Sequence, residues 1–268
     1  MNSKVQFSHL VKIIIASLGL LAFSVAATYN PAQATPITPQ LFKQFVDMRI
    51  GTGEPIYWYC IGEVYEYPSG KLVAKVEGID TARLIKSEST DTKKLQLSRK
   101  IFFYRDPVTN QLLREINGMK VEPIAYPYQQ ITYELRDAQM INSVVQGKAP
   151  RIQKIEGGGK MIARELNGLV MFSAPLFLNF PGYQAFENYD FLIQPSATRG
   201  VPRYQLTWNR RGDLPKFFGG GDSVFQLASY RIDKYQDLPK TMREALESDG
   251  RLWMTPPADL AEIAALQK

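Results

Sequence analysis

The chain has 268 residues, a formal charge of +6, one cysteine and one histidine. That histidine, His9, lies in a stretch laid out like a secretory signal: Lys4, His9 and Lys12, then the apolar run Ile13–Ala27, then Ala32-Gln33-Ala34 as a small-x-small cleavage site. Cleavage after Ala34 leaves residues 35–268 with Cys60 and no histidine, which excludes Ser-His-Asp and Cys-His catalysis, His-ligated metals and an intrachain disulfide.

The apolar run holds 15 residues, fewer than the roughly 20 of a membrane span. A cleaved signal therefore leaves no stable membrane span, with an uncleaved anchor as the alternative. The expected location is the periplasm or the extracellular space, where an unpaired Cys60 must be buried. Loss of Lys4 and Lys12 takes the charge from +6 to +4, spread without a dense Lys/Arg run, so nucleic acid is not an expected partner. Aromatic residues make up 12% of the chain, a content that suits sheets and apolar cavities.

In chain order, residues 35–37 read as a tether, and Thr38 with Pro39 reads as a helix start. Leu41, Phe42, Phe45 and Val46 then form an apolar stripe that packs on or plugs a sheet. Strand texture begins at Ile56 and runs to Tyr67. Alternation puts Ile56, Trp58, Cys60, Gly62 and Val64 on one face and Tyr57, Tyr59, Ile61, Glu63 and Tyr65 on the other. After the turn Pro68-Ser69-Gly70 come strands over 72–77, 95–104, 112–116, 120–124, 161–166, 169–172, 186–193, 204–208 and 224–232. Asn117-Gly118 and Asn167-Gly168 are hairpin signals, because both central positions of a type I′ turn need positive φ. Asp237 is placed to cap a helix over 239–248, and a short amphipathic helix is expected over 257–267.

Strands do not alternate with helices, so a parallel α/β sheet is not expected. About eight to eleven strands in a meander either close or fold into a sandwich. Closure removes the sheet edges, which favours a mainly β fold: one antiparallel, lipocalin-like barrel over residues 35–268 with short helices at both ends.

Gly157-Gly158-Gly159-Lys160 lacks the Ser/Thr and the following helix of a phosphate loop and reads as a turn or bulge. Gly219-Gly220-Gly221 reads as a sharp bend. Cys60, between Trp58 and Val64 on an apolar face, reads as a buried inert thiol. Glu63 shares its face with tyrosines, which would raise its pKa and suit it to proton transfer unless that face is solvated or Glu63 pairs with an arginine. Tyr126-Pro127-Tyr128 with Tyr133, and Trp208-Asn209-Arg210-Arg211 with Phe217-Phe218, are aromatic clusters of the kind that line either a pocket or a core. Asp190, Asp213 and Asp222 form no calcium-loop pattern, so no metal site is expected.

Several segments together resemble a bacterial family known as domain of unknown function 1838. They are Gly53-Glu54-Pro55-Ile56-Tyr57-Trp58 with Gly62 and Tyr65; Arg99 through Pro107 with Thr109 to Leu113; Trp208-Asn209-Arg210-Arg211 through Gly219-Gly220; Leu238-Pro239; and Thr255-Pro256-Pro257. The resemblance implies a single, often exported domain with no established activity. Where the family carries a histidine-bearing segment, this chain reads Ile124 through Ile131, so chemistry resting on that histidine would be missing here. A Trp-rich stretch is likewise replaced by Asp213 through Phe218.

The leading expectation is an exported barrel that binds an apolar or aromatic small molecule without a cofactor. Its contacts would come from Tyr57, Trp58, Tyr65, Arg105, Tyr126, Tyr128, Trp208, Arg210 and Phe217. The rival is a cofactor-free isomerase, cyclase or decarboxylase with Glu63 as acid or base, Tyr59 or Tyr104 as helper and an arginine as oxyanion partner. A structural or interaction module of the cell envelope is the third reading.

Overall fold

A computed structural model describes residues 34–266, apart from 149–150, 167, 181–182 and 196–200. The export signal therefore lies, but for Ala34, outside the described residues, as does Asn167. Ten strands form one closed antiparallel barrel: β1 (Ile56–Tyr67), β2 (Leu72–Leu84), β3 (Lys93–Arg105), β6 (Ile124–Arg136), β7 (Gln139–Lys148), β8 (Arg151–Leu166), β9 (Leu169–Phe180), β10 (Tyr183–Ile193), β11 (Tyr204–Asp213) and β12 (Asp222–Ile232). Each strand pairs with its neighbour in sequence except where β3 meets β6, and β12 returns to β1 with Tyr57 opposite Ile232 and Tyr67 opposite Asp222. Between β3 and β6 the short hairpin of β4 (Glu115–Ile116) and β5 (Met119–Lys120) forms a separate two-stranded sheet.

Several expectations change. The Asn117-Gly118 turn forms with positive φ at both residues, but it joins two-residue strands and not a barrel hairpin. β6 and β7 were not expected. Pro127 interrupts the apolar alternation, and the register of β6 against β3 slips between Ser98 and Lys100, so Tyr126 and Gln129 both face inwards. Residues 35–37 are no free tether: Thr35 N–H donates to Ala163 O at 2.8 Å, Ile37 N–H donates to Ala138 O at 2.9 Å, and Ile37 is buried. Asp237 caps no helix. It ends a one-turn 3₁₀ segment, and helix α2 (Lys240–Asp249) starts after Pro239 with no side-chain cap.

Helix α1 (Pro39–Ile50) plugs one end of the barrel. Thr38 Oγ1 accepts from Leu41 N–H at 3.1 Å, and Pro39 supplies the fixed φ of a first turn. Its stripe points into the lumen, where Phe45 meets Tyr133, Phe172 and Phe191 edge to face at centroid distances of 5.1, 5.3 and 5.3 Å. At the C-terminal end of the helix, Trp58 Nε1–H donates to Arg49 O at 3.1 Å.

The outer wall is covered in part. Leu238 and, from α2, Met242, Ala245 and Leu246 cluster with Tyr57, Tyr59, Ile79, Ile101 and Phe103 on the outside of β1–β3. Helix α3 (Leu260–Leu266) adds Ile263 to an outer cluster with Ile85, Leu95, Leu97 and Tyr128. Arg99, 2% exposed on that face, donates to Pro127 O of β6 and fastens the C-terminal segment by donating to Thr255 O and Glu262.

Phe45 is fully buried at the centre of the plug. Its replacement in Phe45→Ala should lower the free energy of unfolding in urea by about 3–5 kcal/mol, the cost of a large cavity in a packed region. A loss under about 1 kcal/mol would mean that α1 does not hold the barrel end shut.

Candidate functional site

Inside the barrel, above α1, lies a cavity of about 290 Å³. An eight-stranded barrel is about filled by its own side chains, and lumen width grows with strand number. Ten strands with one end plugged therefore leave space. Trp208, from β11, is the hub of the wall. Its ring stacks on Tyr189 of the adjacent strand at 6.1 Å and 29°, and on Phe102 of the distant strand β3 at 6.1 Å and 16°. Phe102 can lie across the lumen because its partner across β2–β3 is Gly78; a Cβ there would come within 2.1 Å of Phe102 Cδ1.

Polar groups sit at two levels. On the floor, Arg49 donates to Asp80 at 2.8 Å, with the two residues 5% and 6% exposed. Burial works against the Arg49 charge, but Asp80 and the Tyr133 hydroxyl outweigh it and hold the guanidinium protonated. Burial raises the Tyr133 phenol, opposed by Arg49. Higher up, Glu187 accepts from Tyr189 Oη at 2.6 Å and Trp208 Nε1 at 3.1 Å, and Arg210 Nε stands 3.7 Å away. Burial and that carboxylate push the Tyr189 phenol well above its usual range, so it stays a donor. Cys60 also lines the cavity; Ser229 Oγ donates to its Sγ at 2.8 Å.

Of the residues expected at a site, Trp58, Tyr104, Tyr126, Trp208 and Arg210 line the cavity. Phe217 stands at the rim, with its ring 5.5 Å from Tyr104 and 4.8 Å from Phe218. Tyr57, Tyr59, Glu63, Tyr65, Arg105 and Tyr128 belong to the outer wall. Tyr59 Oη donates to Glu77 at 2.7 Å, and Arg105 Nε donates to the same carboxylate at 2.6 Å. Thr241 at the start of α2 completes this group at 3.2 Å. Burial, with Glu77 alongside, holds the Tyr59 phenol protonated. Glu63 lines an open cleft on that outer side and pairs across the sheet with Lys75 and Gln226. Glu63 and Tyr104 are thus on opposite sides of the barrel wall.

Sequence reading missed Arg49, Asp80, Lys100, Asn142 and Glu187, all of which line the cavity. For Glu187 a signal existed: it alternates with Tyr189, Phe191 and Ile193 on one strand face. For Arg49 none did, since helical spacing does not show that a plug helix turns its last side chains into the lumen.

No curated protein and no solved structure matches the chain. A family model described as protein of unknown function (DUF1838) matches residues 53–266, a span that takes in all ten barrel strands and the outer helices α2 and α3. The chain belongs to the DUF1838 family.

Proposed function

We propose that the protein is exported and binds an apolar or aromatic small molecule inside the barrel. One observation carries this reading: a cavity of about 290 Å³, floored by α1 and walled by rings from β1, β3, β6, β10, β11 and β12. Its size is at the small end of the ~300–1,000 Å³ typical of ligand sites, and its make-up, mostly apolar with a few fixed polar groups, is theirs too. Buried apolar area supplies affinity, and the polar groups supply orientation.

No observation favours the acid–base enzyme. Glu63 and Tyr59 face away from the cavity. Tyr104, which does face it, has its phenol raised by burial, opposed by Arg210, and therefore holds its proton near neutrality. Burial also pushes the Cys60 thiol up to about 12, Ser229 opposing, so it is no nucleophile near neutral pH. Export is supported by the signal pattern, and Thr35 is bonded to β8 immediately after the expected cut.

Three measurements test this reading. N-phenyl-1-naphthylamine, a neutral aromatic probe, should gain fluorescence on binding and quench the tryptophans. Ala174→Trp, which fills the lumen beside Tyr189, should weaken it by about tenfold or more, equivalent to about 1.4 kcal/mol. No binding to the native protein would count against the reading. Cys60 should resist 5,5′-dithiobis(2-nitrobenzoate) at about pH 8, where the thiolate is scarce below so high a pKa, and react once guanidinium unfolds the chain. The mass of the exported protein should correspond to a chain beginning at Thr35; an intact N-terminus would contradict the cleaved signal.

A further inference from the structure

The polar atoms of the cavity do not balance among themselves. Arg49 Nη1, Asp80 Oδ1 and Asn142 Oδ1 are buried with no hydrogen-bond partner among the described residues, and all three residues line the cavity. Folded proteins rarely leave such atoms unmatched unless water or a ligand meets them. Arg49 and Asp80 use their other atoms on each other at 2.8 Å.

Lys100 is the unmatched charge. It sits halfway along β3, opposite Asp80 on β2 and Tyr126 on β6. Asp80 nevertheless turns down to Arg49, and Lys100 Nζ turns to the rings of Phe102 and Tyr126, 6.0 Å from each centroid. Among the described residues it makes no ion pair. The other ionised groups inside are matched: Arg49 with Asp80, and Arg210 with Glu187. Asp213 reaches the cavity only at its exposed rim. A half-buried ammonium that lines the lumen among aromatic rings, in no ion pair among the described residues, is an anchor for an anion.

Resting on the reading that the lumen holds a ligand, we infer that this ligand is an apolar acid: a compact aromatic or branched hydrocarbon bearing one carboxylate. The carboxylate lies against Lys100 Nζ, with Arg49 Nη1 as the second donor. The hydrocarbon lies upward among Trp208, Phe225 and Leu227. Asp80 Oδ1 and Asn142 Oδ1, both acceptors, take a hydroxyl or water carried in with the acid.

The test is displacement of N-phenyl-1-naphthylamine by 2-naphthoate and by its neutral isostere 2-naphthamide, in the native protein and in Lys100→Met. The native protein should prefer the acid by about tenfold or more, as a charge-assisted contact in a partly dry site requires. Lys100→Met should bring the ratio near one, each ratio being taken against that variant's own affinity for the probe and with circular dichroism reporting the intact barrel; Lys100→Arg should retain the preference. Equal displacement by acid and amide in the native protein, or a preference that survives Lys100→Met, overturns the inference. Should Lys100→Met not fold, the native ratio alone decides. Failure of the neutral probe to bind at all defeats the parent reading, whereas probe binding without acid preference defeats this inference alone.

Discussion

Closure of ten strands into one barrel is the constraint from which the rest follows. A ring of this size encloses more space than its inward side chains fill, and the chain meets the excess in two ways. One end is filled by α1, whose Phe45 packs against three rings of the wall. The middle stays hollow, bounded by large flat side chains that touch across it, as Phe102 and Trp208 do. The same α1 that plugs the barrel also brings Arg49 to the cavity floor, so packing and site chemistry are joined at one helix end. Removing either Arg49 or Asp80 alone would leave a buried charge uncompensated, which in general costs about 3–5 kcal/mol. The floor is therefore part of the fold as well as part of the site.

The architecture was legible in the sequence because its signals are local. Period-two alternation marked β1 and β12, Pro39 marked the plug helix, and the absence of strand–helix alternation excluded a parallel sheet. What was not legible was which face of each strand is inside. In β1 both faces are apolar enough for burial, and both are buried: Trp58 and Cys60 in the lumen, Tyr57 and Tyr59 beneath α2. Six of the twelve expected site residues lie on the outer side of the wall, and four of those six are on β1. The choice is made by helices at the far end of the chain, and alternation carries no information about them. β6 escaped notice because its bulge reverses the alternation in the middle of the strand.

The charged residues of the lumen were hidden for a different reason. Lys100, Asp80 and Glu187 each interrupt an apolar pattern, and an isolated charge in a strand usually marks the solvent side. Here each instead has a lumen position, and two of the three are matched by a cation or a ring of donors. That arrangement separates the interior from an ordinary core, in which an apolar residue would stand at such sites. Membership of DUF1838 extends over the whole barrel and adds no chemistry of its own; the account of the site rests on the geometry of the lumen.

The central claim is that the barrel keeps a real hollow beside Trp208 rather than collapsing its rings into it. Diffraction from crystals pressurised with xenon tests this most directly, since the gas enters apolar cavities large enough to hold it. The account predicts an anomalous peak among Trp208, Phe225 and Leu227. A lumen without xenon, with those rings in mutual contact on every side, would contradict it.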